Sequence, residues 1–154
     1  MFVWTAKVSK TKLAAVITGI IAVAVLAAVI AAAGKEGPGA DADAGDTNEE
    51  RIAFLGRCGW EVNPEPVQTQ TVAVPAEASE VFDRYNQLQK SQGYDLSGLA
   101  GKRVNRYVYE VLNCPEAEGP VYATLFVHAG KIVGGDITDT APGGLMRGLA
   151  APKP

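Results

Sequence analysis

The chain has 154 residues, of which 47% are hydrophobic and 20% are charged, and its formal net charge is −3. This length allows one domain plus an appendage, and about 100 residues can bury a core without an obligatory disulfide or metal. The negative charge argues against nucleic acid as a partner, because that binding relies on a basic surface.

The chain begins with a lysine-containing segment that is followed by an apolar run. Residues 1–12 contain three lysines and no acidic residue, and residues 13–33 contain only Thr18 and Gly19 outside the apolar alphabet. A helix of this length spans about 31 Å, close to the ~30 Å hydrocarbon core of a bilayer. Since positive residues beside a first span stay inside, the pattern predicts a single-pass plasma-membrane protein with residues 1–12 in the cytoplasm and the rest outside.

Two further interpretations of the apolar run remain open. Small residues at Ala31, Ala32 and Ala33 would suit a signal peptidase, although the apolar region of a cleaved signal peptide is usually shorter than this one. Alanines also recur at four-residue spacing within the run, and such spacing lets two helices approach closely. The sequence thus predicts an uncleaved anchor in contact with membrane lipid, with signal cleavage as the alternative and a homodimer through the span as an additional hypothesis.

Residues 34–48 combine Gly, Pro, Ala and Asp without apolar periodicity, which is typical of a flexible acidic linker. Thr47 and Glu50 then fit a capping box that starts a short helix. We therefore expect an extracytoplasmic domain over residues 49–150.

The remaining pattern predicts one long helix and several strands. Apolar spacing favours a helix from about residue 79 to 92, and alternation rich in Val, Thr and Tyr favours strands. A turn at residues 128–130 predicts a hairpin, and Gly134 with Gly135 indicates a bulge or a close backbone approach. We expect an α+β domain, with a mostly antiparallel sheet of four to five strands covered on one face by two helices. The predicted strands are 67–74, 103–112, 121–127 and 131–137, and a further extended segment begins at residues 60–62.

Four parts of the domain resemble a known family. They are residues 52–62, 85–96, 101–107 and 130–136, and the start of the chain and the lysines before the apolar run fit as well. Together they resemble a bacterial family of small single-span membrane proteins whose outer domain has no known function. The resemblance implies the domain limits and the topology, and it implies no activity, substrate or site residue.

Aromatic and basic residues provide the candidate binding residues. Tyr107 and Tyr109 alternate along one predicted strand, and Tyr122 lies on the next, so the three could form a binding platform on one sheet face. Arg103 and Arg106 belong to a local basic cluster that could contact an anionic polymer or lipid headgroups.

Two cysteines and one histidine limit metal and redox chemistry. Cys58 and Cys114 either form a disulfide, which an oxidising exterior permits, or remain thiols. With His128 as the sole histidine, the four closely arranged ligands of a zinc site are missing. We expect neither a metal nor another cofactor.

No catalytic motif accompanies these residues. The sequence favours a non-catalytic, membrane-anchored module that binds an envelope protein or polymer. One alternative is a small hydrolase that uses His128 with a carboxylate, such as the pair Glu61 and Glu65 or the pair Asp136 and Asp139. Another is a regulatory subunit of a membrane complex.

Overall fold

The computed structural model describes residues 43–152. The predicted cytoplasmic segment, the predicted transmembrane helix and the first part of the predicted linker lie outside these residues. Within residues 43–152, no helix is long and apolar enough to cross a membrane.

The described part of the chain is an α+β domain, which confirms the predicted fold class. Two helices and five strands alternate with short loops, and a 3-10 helix follows the second helix. The strands form one antiparallel sheet in the order β1-β2-β3-β4-β5. In chain order the elements are α1 (Asn48–Arg57), β1 (Gln68–Ala73), α2 (Glu80–Ser91), the 3-10 helix (Leu96–Leu99), β2 (Arg103–Val111), β3 (Val121–His128), β4 (Lys131–Asp139) and β5 (Met146–Arg147).

Side-chain caps start both helices. The Thr47 hydroxyl accepts a hydrogen bond from the Glu50 backbone at 3.2 Å, and the Glu50 carboxylate accepts one from the Thr47 backbone at 3.0 Å. This is the predicted capping box, which satisfies two backbone donors that the helix itself leaves unpaired. Ser79 caps α2 in the same way by accepting from the Phe82 backbone at 3.2 Å.

The two helices pack on opposite faces of the sheet. Tyr109 of β2 belongs to the larger core cluster, together with Leu55 of α1. Val104 of the same strand belongs to a second cluster, which includes Phe82 of α2. Residues 104 and 109 are an odd number of positions apart, so their side chains point to opposite faces of the sheet. The prediction that both helices cover one face is therefore wrong, because β2 carries apolar residues on both faces and each face needs its own cover.

The C-terminal tail closes the larger core cluster. Leu149 is buried there, and its carbonyl oxygen accepts a hydrogen bond from Trp60 Nε1 at 2.6 Å. Just before Leu149, the two-residue strand β5 pairs with β4 and adds a fifth strand at the edge of the sheet. The tail thus contributes both a strand and a core side chain.

Tight backbone geometry defines the β3–β4 hairpin. Ala129 and Gly130 have positive φ angles of 50° and 76°, which is the geometry of a two-residue type I′ turn. The strand register then shifts near Phe126 and Val127, where β4 bulges. A Cβ on Gly135 would lie 2.3 Å from the Thr124 carbonyl oxygen, so the predicted close approach occurs at Gly135, and the extra residue of the bulge is Val133, just before the two glycines.

Residues before α1 pack on this hairpin. The Ile132 amide donates to the Asp43 carbonyl oxygen at 2.7 Å, and the Gly45 amide donates to the Gly130 carbonyl oxygen at 3.0 Å. Arg51 of α1 also donates to the Gly45 carbonyl oxygen at 2.8 Å. Residues 43–48, placed in the predicted linker, are therefore part of the folded domain.

Candidate functional site

The sheet face that carries α2 contains an open groove of about 660 Å³. Its floor comes from adjacent strands, because Thr124 of β3 lies opposite Val108 of β2 and Asp136 of β4. Tyr85 of α2 forms one wall. The other lining residues are Val67, Gln68, Arg106, Tyr122, Phe126, Thr138, Thr140 and Met146. The floor residues Val108, Thr124 and Asp136 are buried, whereas rim residues such as Tyr122 and Thr138 remain partly exposed to a ligand.

A buried carboxyl group lies at the centre of the groove. Asp136 is only 3% exposed, and it accepts hydrogen bonds from the Tyr85 hydroxyl at 2.7 Å and from the Thr138 hydroxyl at 2.8 Å. Burial raises the pKa of Asp136 and outweighs these hydrogen bonds and the nearby charge of Arg106, all of which lower it. Burial also raises the pKa of Tyr85, and the charge of Asp136 adds to that rise.

The cation in the groove, Arg106, forms no ion pair with a described carboxylate, although its charge acts on the neighbouring Asp136. Arg106 is half-buried, and its Nη1 donates to the Gln68 side-chain oxygen at 2.9 Å. Among the described residues, no carboxylate oxygen lies within 4.0 Å of its guanidinium nitrogens. A guanidinium group has five N–H donors. Arg106 can therefore bind an anionic group that enters the groove.

A smaller apolar pocket of about 270 Å³ adjoins the groove. Three residues line both cavities, namely Tyr85, Arg106 and Phe126. The Tyr85 and Phe126 rings meet edge to face, with centroids 6.2 Å apart. The apolar pocket itself is lined by Val72, Ala73, Val74, Pro75, Phe82, Leu96 and Val104. Arg106 thus lies where a polar cavity and an apolar one meet.

The predicted tyrosine platform does not form. Tyr122 lines the groove and pairs across the strands with Glu110, whereas Tyr107 and Tyr109 point to the opposite face of the sheet. Tyr109 is fully buried, and burial raises its pKa. The antiparallel register explains the separation, because it aligns Tyr122 with an even-numbered residue of β2.

Tyr107 and Tyr109 instead contact the buried guanidinium group of Arg51. Arg51 Nε donates to the Tyr109 hydroxyl at 2.8 Å, and that hydroxyl donates to Asn48 Oδ1 at 2.8 Å. The Arg51 guanidinium lies 3.7 Å from the centroid of the Tyr107 ring. These contacts join α1 to the sheet, so both tyrosines have a structural role.

The structure also separates the two predicted arginines. Arg103 is exposed and lies three residues before Arg106 on β2, so the two side chains point to opposite sheet faces. Only Arg106 reaches the groove. The basic cluster expected from the sequence is therefore divided between the two faces.

His128 lies away from the groove, at the end of β3. Its Nδ1 is 3.1 Å from the Arg103 carbonyl oxygen, which can only accept, so Nδ1 carries a proton in this contact. The groove lining contains Asp136 but no histidine. Asp139, the other member of the predicted carboxylate pair, is three residues along β4 and points to the opposite face.

Both cysteines are free thiols at the edge of the larger core cluster. Burial raises the pKa of Cys58, which reduces its thiolate fraction. Arg147 Nη2 donates to the Cys114 sulfur at 3.3 Å. Within residues 43–152, no group of three or more His, Cys, Asp or Glu side chains is placed to hold a metal ion.

Sequence reasoning missed the pair formed by Tyr85 and Asp136. The apolar spacing of α2 assigned Tyr85 to the core, and Asp136 was grouped with Asp139 along the chain. One local signal was present, since Asp136 is the single acidic residue in the predicted strand 131–137. Where an acidic residue in such a strand faces the interior, its carboxyl group needs hydrogen-bond partners, but the sequence does not say which face Asp136 takes.

The fold and the groove define a small α+β domain with an antiparallel sheet between two helices and an open cavity on one face. A family model described as a domain of unknown function, DUF4830, matches residues 54–137, which is more than half of the chain. The chain therefore belongs to the DUF4830 family. No curated protein and no solved structure was found to match it. The matched range contains the groove residues from Val67 to Asp136.

Proposed function

We propose that this protein is a membrane-anchored binding module that uses the groove on the α2 face to hold a ligand outside the cytoplasm. The observation that carries this proposal is the open cavity in which Arg106, which forms no ion pair among the described residues, adjoins an apolar pocket. A concave, partly apolar surface with a few convergent polar groups is the usual form of a ligand site.

The anchor belongs to the proposal on sequence grounds. The apolar run at residues 13–33 is long enough to cross a bilayer, and the lysines before it favour a cytoplasmic N-terminus. The domain would then act near the outer face of the plasma membrane, on an envelope component that comes within reach of its linker. A regulatory subunit of a membrane complex is an alternative function that such an anchor would also allow.

The alternative function is a small hydrolase, and Asp136 is the residue that favours it. A buried carboxyl group with a raised pKa is a candidate general acid. The groove lining, however, contains neither histidine nor cysteine. The hydroxyl groups that lie beside Asp136, those of Tyr85 and Thr138, hold its carboxyl group in place by donating hydrogen bonds to it. Binding therefore fits the groove better than catalysis.

Site-specific crosslinking in intact bacterial cells tests the binding proposal. A photoreactive phenylalanine analogue replaces Tyr122 in the groove of the full-length protein. Leu112, which is exposed just after β2 and does not line the groove, provides the control position. We expect a discrete adduct from position 122 that position 112 does not yield. Absence of an adduct at position 122, or the same adducts at both positions, would contradict the proposal.

Fractionation tests the anchor independently. We expect the full-length protein to stay with the membranes after alkaline carbonate extraction, and external protease to degrade the domain in spheroplasts. A variant lacking residues 13–33 provides the control and should leave the membrane fraction. Protein recovered in the supernatant with those residues intact would disprove the anchor, and signal cleavage would be recognised by a shortened chain.

A further inference from the structure

Two cavities of different character meet at Arg106, and their junction indicates what kind of ligand fits. A molecule that spans the polar groove and the apolar pocket must pass Tyr85, Arg106 and Phe126, which line both. Such a ligand presents a polar side to one cavity and an apolar group to the other. The identity of this ligand rests on the proposed function, because it concerns the same groove.

The charge of Arg106 specifies an anionic group. The side chain is half-buried, so it has lost part of its hydration, and no described carboxylate forms an ion pair with it. Asp136 already accepts hydrogen bonds from Tyr85 and Thr138. A ligand carboxylate would provide the missing charge-assisted hydrogen bonds.

The size of the apolar pocket indicates which apolar group of the ligand lies next to its anionic group. Sites that enclose a whole small molecule usually measure about 300–1,000 Å³. The pocket measures about 270 Å³ and is formed by apolar side chains such as Phe82, Leu96 and Val104. This volume suits one apolar side chain of a longer ligand better than a complete ligand.

The polar lining of the larger groove favours a ligand whose own backbone is polar. Hydroxyl groups of Tyr122, Thr124 and Thr138 and the amide of Gln68 line it, on strands that lie about 4.8 Å apart. Thr138 already donates to Asp136, and Gln68 already accepts from Arg106. The groups that an extended peptide can satisfy with its own N–H and C=O groups are therefore the hydroxyl groups of Tyr122 and Thr124. The acyl chain of a fatty acid would leave them unpaired, at a cost in free energy.

We infer that the groove binds an extended peptide segment of a partner protein in which an acidic residue adjoins an apolar one. The acidic side chain pairs with Arg106, the apolar side chain enters the pocket beside Phe82 and Leu96, and the peptide backbone crosses the groove above Thr124 and Thr138.

Selection from a random peptide display library on the purified full-length protein tests this inference. We expect enriched peptides to share an Asp or Glu next to an apolar residue. Enrichment of peptides without an acidic residue, or no enrichment, would overturn it. Sodium decanoate is the competitor for a fatty-acid ligand, and displacement of the selected peptides by decanoate at equal concentration would overturn it as well.

Matched arginine variants provide the second arm. Arg106→Gln should weaken binding of a selected peptide at least about tenfold and remove the preference for its acidic residue. Arg106→Lys should keep that preference, and Arg103→Gln, on the opposite face, should bind as the natural protein does. Equal affinity of the Arg106→Gln and Arg103→Gln variants would contradict the inference.

The two proposals fail differently. If position 122 crosslinks a lipid or a polysaccharide in cells and the library yields no peptide, the peptide inference is wrong and the binding function stands. If position 122 yields no adduct, the binding function itself is wrong.

Discussion

Arg51 is a buried cation that is satisfied without a carboxylate. It is 6% exposed, and its hydrogen bonds go to the Tyr109 hydroxyl and to the carbonyl oxygens of Gly45 and Asp46. The Tyr107 ring covers its guanidinium group. Removal of this side chain leaves several polar groups without a partner, which costs more free energy than the loss of an exposed charge.

We predict that Arg51→Met lowers the free energy of unfolding by about 2–4 kcal/mol. Arg84→Met is the matched control, because Arg84 is 76% exposed and pairs on the surface with Glu80. The control should change stability by less than about 0.5 kcal/mol. Urea unfolding of residues 43–152 measures both, and equal losses in the two variants would disprove the role assigned to Arg51.

Asp136 should make stability depend on pH. Burial raises its pKa in the folded state, whereas the unfolded value is about 3.9. Its favourable contribution is therefore complete below about pH 3.9 and is lost as pH rises through the folded pKa. We predict that the stability of the natural domain relative to Asp136→Asn falls as pH increases above about 4, measured by urea unfolding at several pH values. A relative stability that rises would contradict the assigned direction.

Asp95 provides a control of opposite sign. Hydrogen bonds from Ser97 and Asn86 lower the pKa of Asp95. Its contribution is present above about pH 3.9 and is lost as pH falls through the folded pKa. In the same titration, the stability of the natural domain relative to Asp95→Asn should fall toward acid pH. The two variants together distinguish a local effect from a general effect of acid.

At the scale of the element, a glycine in the sheet and a glycine in a helix differ in how much space a side chain would have. Gly135 lies in β4, where a Cβ would be 2.3 Å from the Thr124 carbonyl oxygen and 3.1 Å from Leu149 side-chain atoms. Gly56 lies in α1, where a Cβ would meet nothing within 4 Å. The same substitution should therefore have opposite effects at the two sites.

We predict that Gly135→Ala lowers the free energy of unfolding by about 1–3 kcal/mol or more, because the strands must separate to admit the methyl group. Gly56→Ala should be neutral or stabilise the domain by up to about 1 kcal/mol through helix propensity. Thermal unfolding of the two variants measures both effects. A Gly135→Ala variant as stable as the natural protein would contradict the prediction that separating the strands costs free energy.

The elements were largely predictable, because their signals are local. Thr47 and Glu50 are three residues apart and form the capping box within one turn. Ala129 and Gly130 form the predicted turn between adjacent strands. The side of the sheet on which each helix packs was not predictable, since it depends on which face of β2 each helix covers.

At the scale of the whole molecule, the segment before α1 completes the domain. Its backbone pairs with the β3–β4 hairpin through Asp43 and Gly45, and it supplies acceptors for Arg51. It also carries the cap residue Thr47. A domain that begins at residue 49 would lose all of these contacts at once.

We predict that a fragment of residues 43–152 unfolds cooperatively, and that a fragment of residues 49–152 melts at least about 10 °C lower. The loss of the cap alone is worth about 1 kcal/mol, and each kcal/mol shifts Tm by about 4–8 °C in a domain of this size. Calorimetry on the two fragments measures the difference. Equal melting temperatures would place residues 43–48 outside the folded unit.

The sequence alone determined the α+β class, the capping box of the first helix and the hairpin turn, because neighbouring residues encode each of these features. It also gives the reason to expect a membrane anchor, which is the uninterrupted apolar run at residues 13–33. Only the tertiary structure decided which side chains share a face. The strand register placed Tyr122 away from Tyr107 and Tyr109, and the packing of α2 brought Tyr85 to Asp136 across 51 positions of sequence. Such contacts depend on register and on layer packing, which no local pattern specifies.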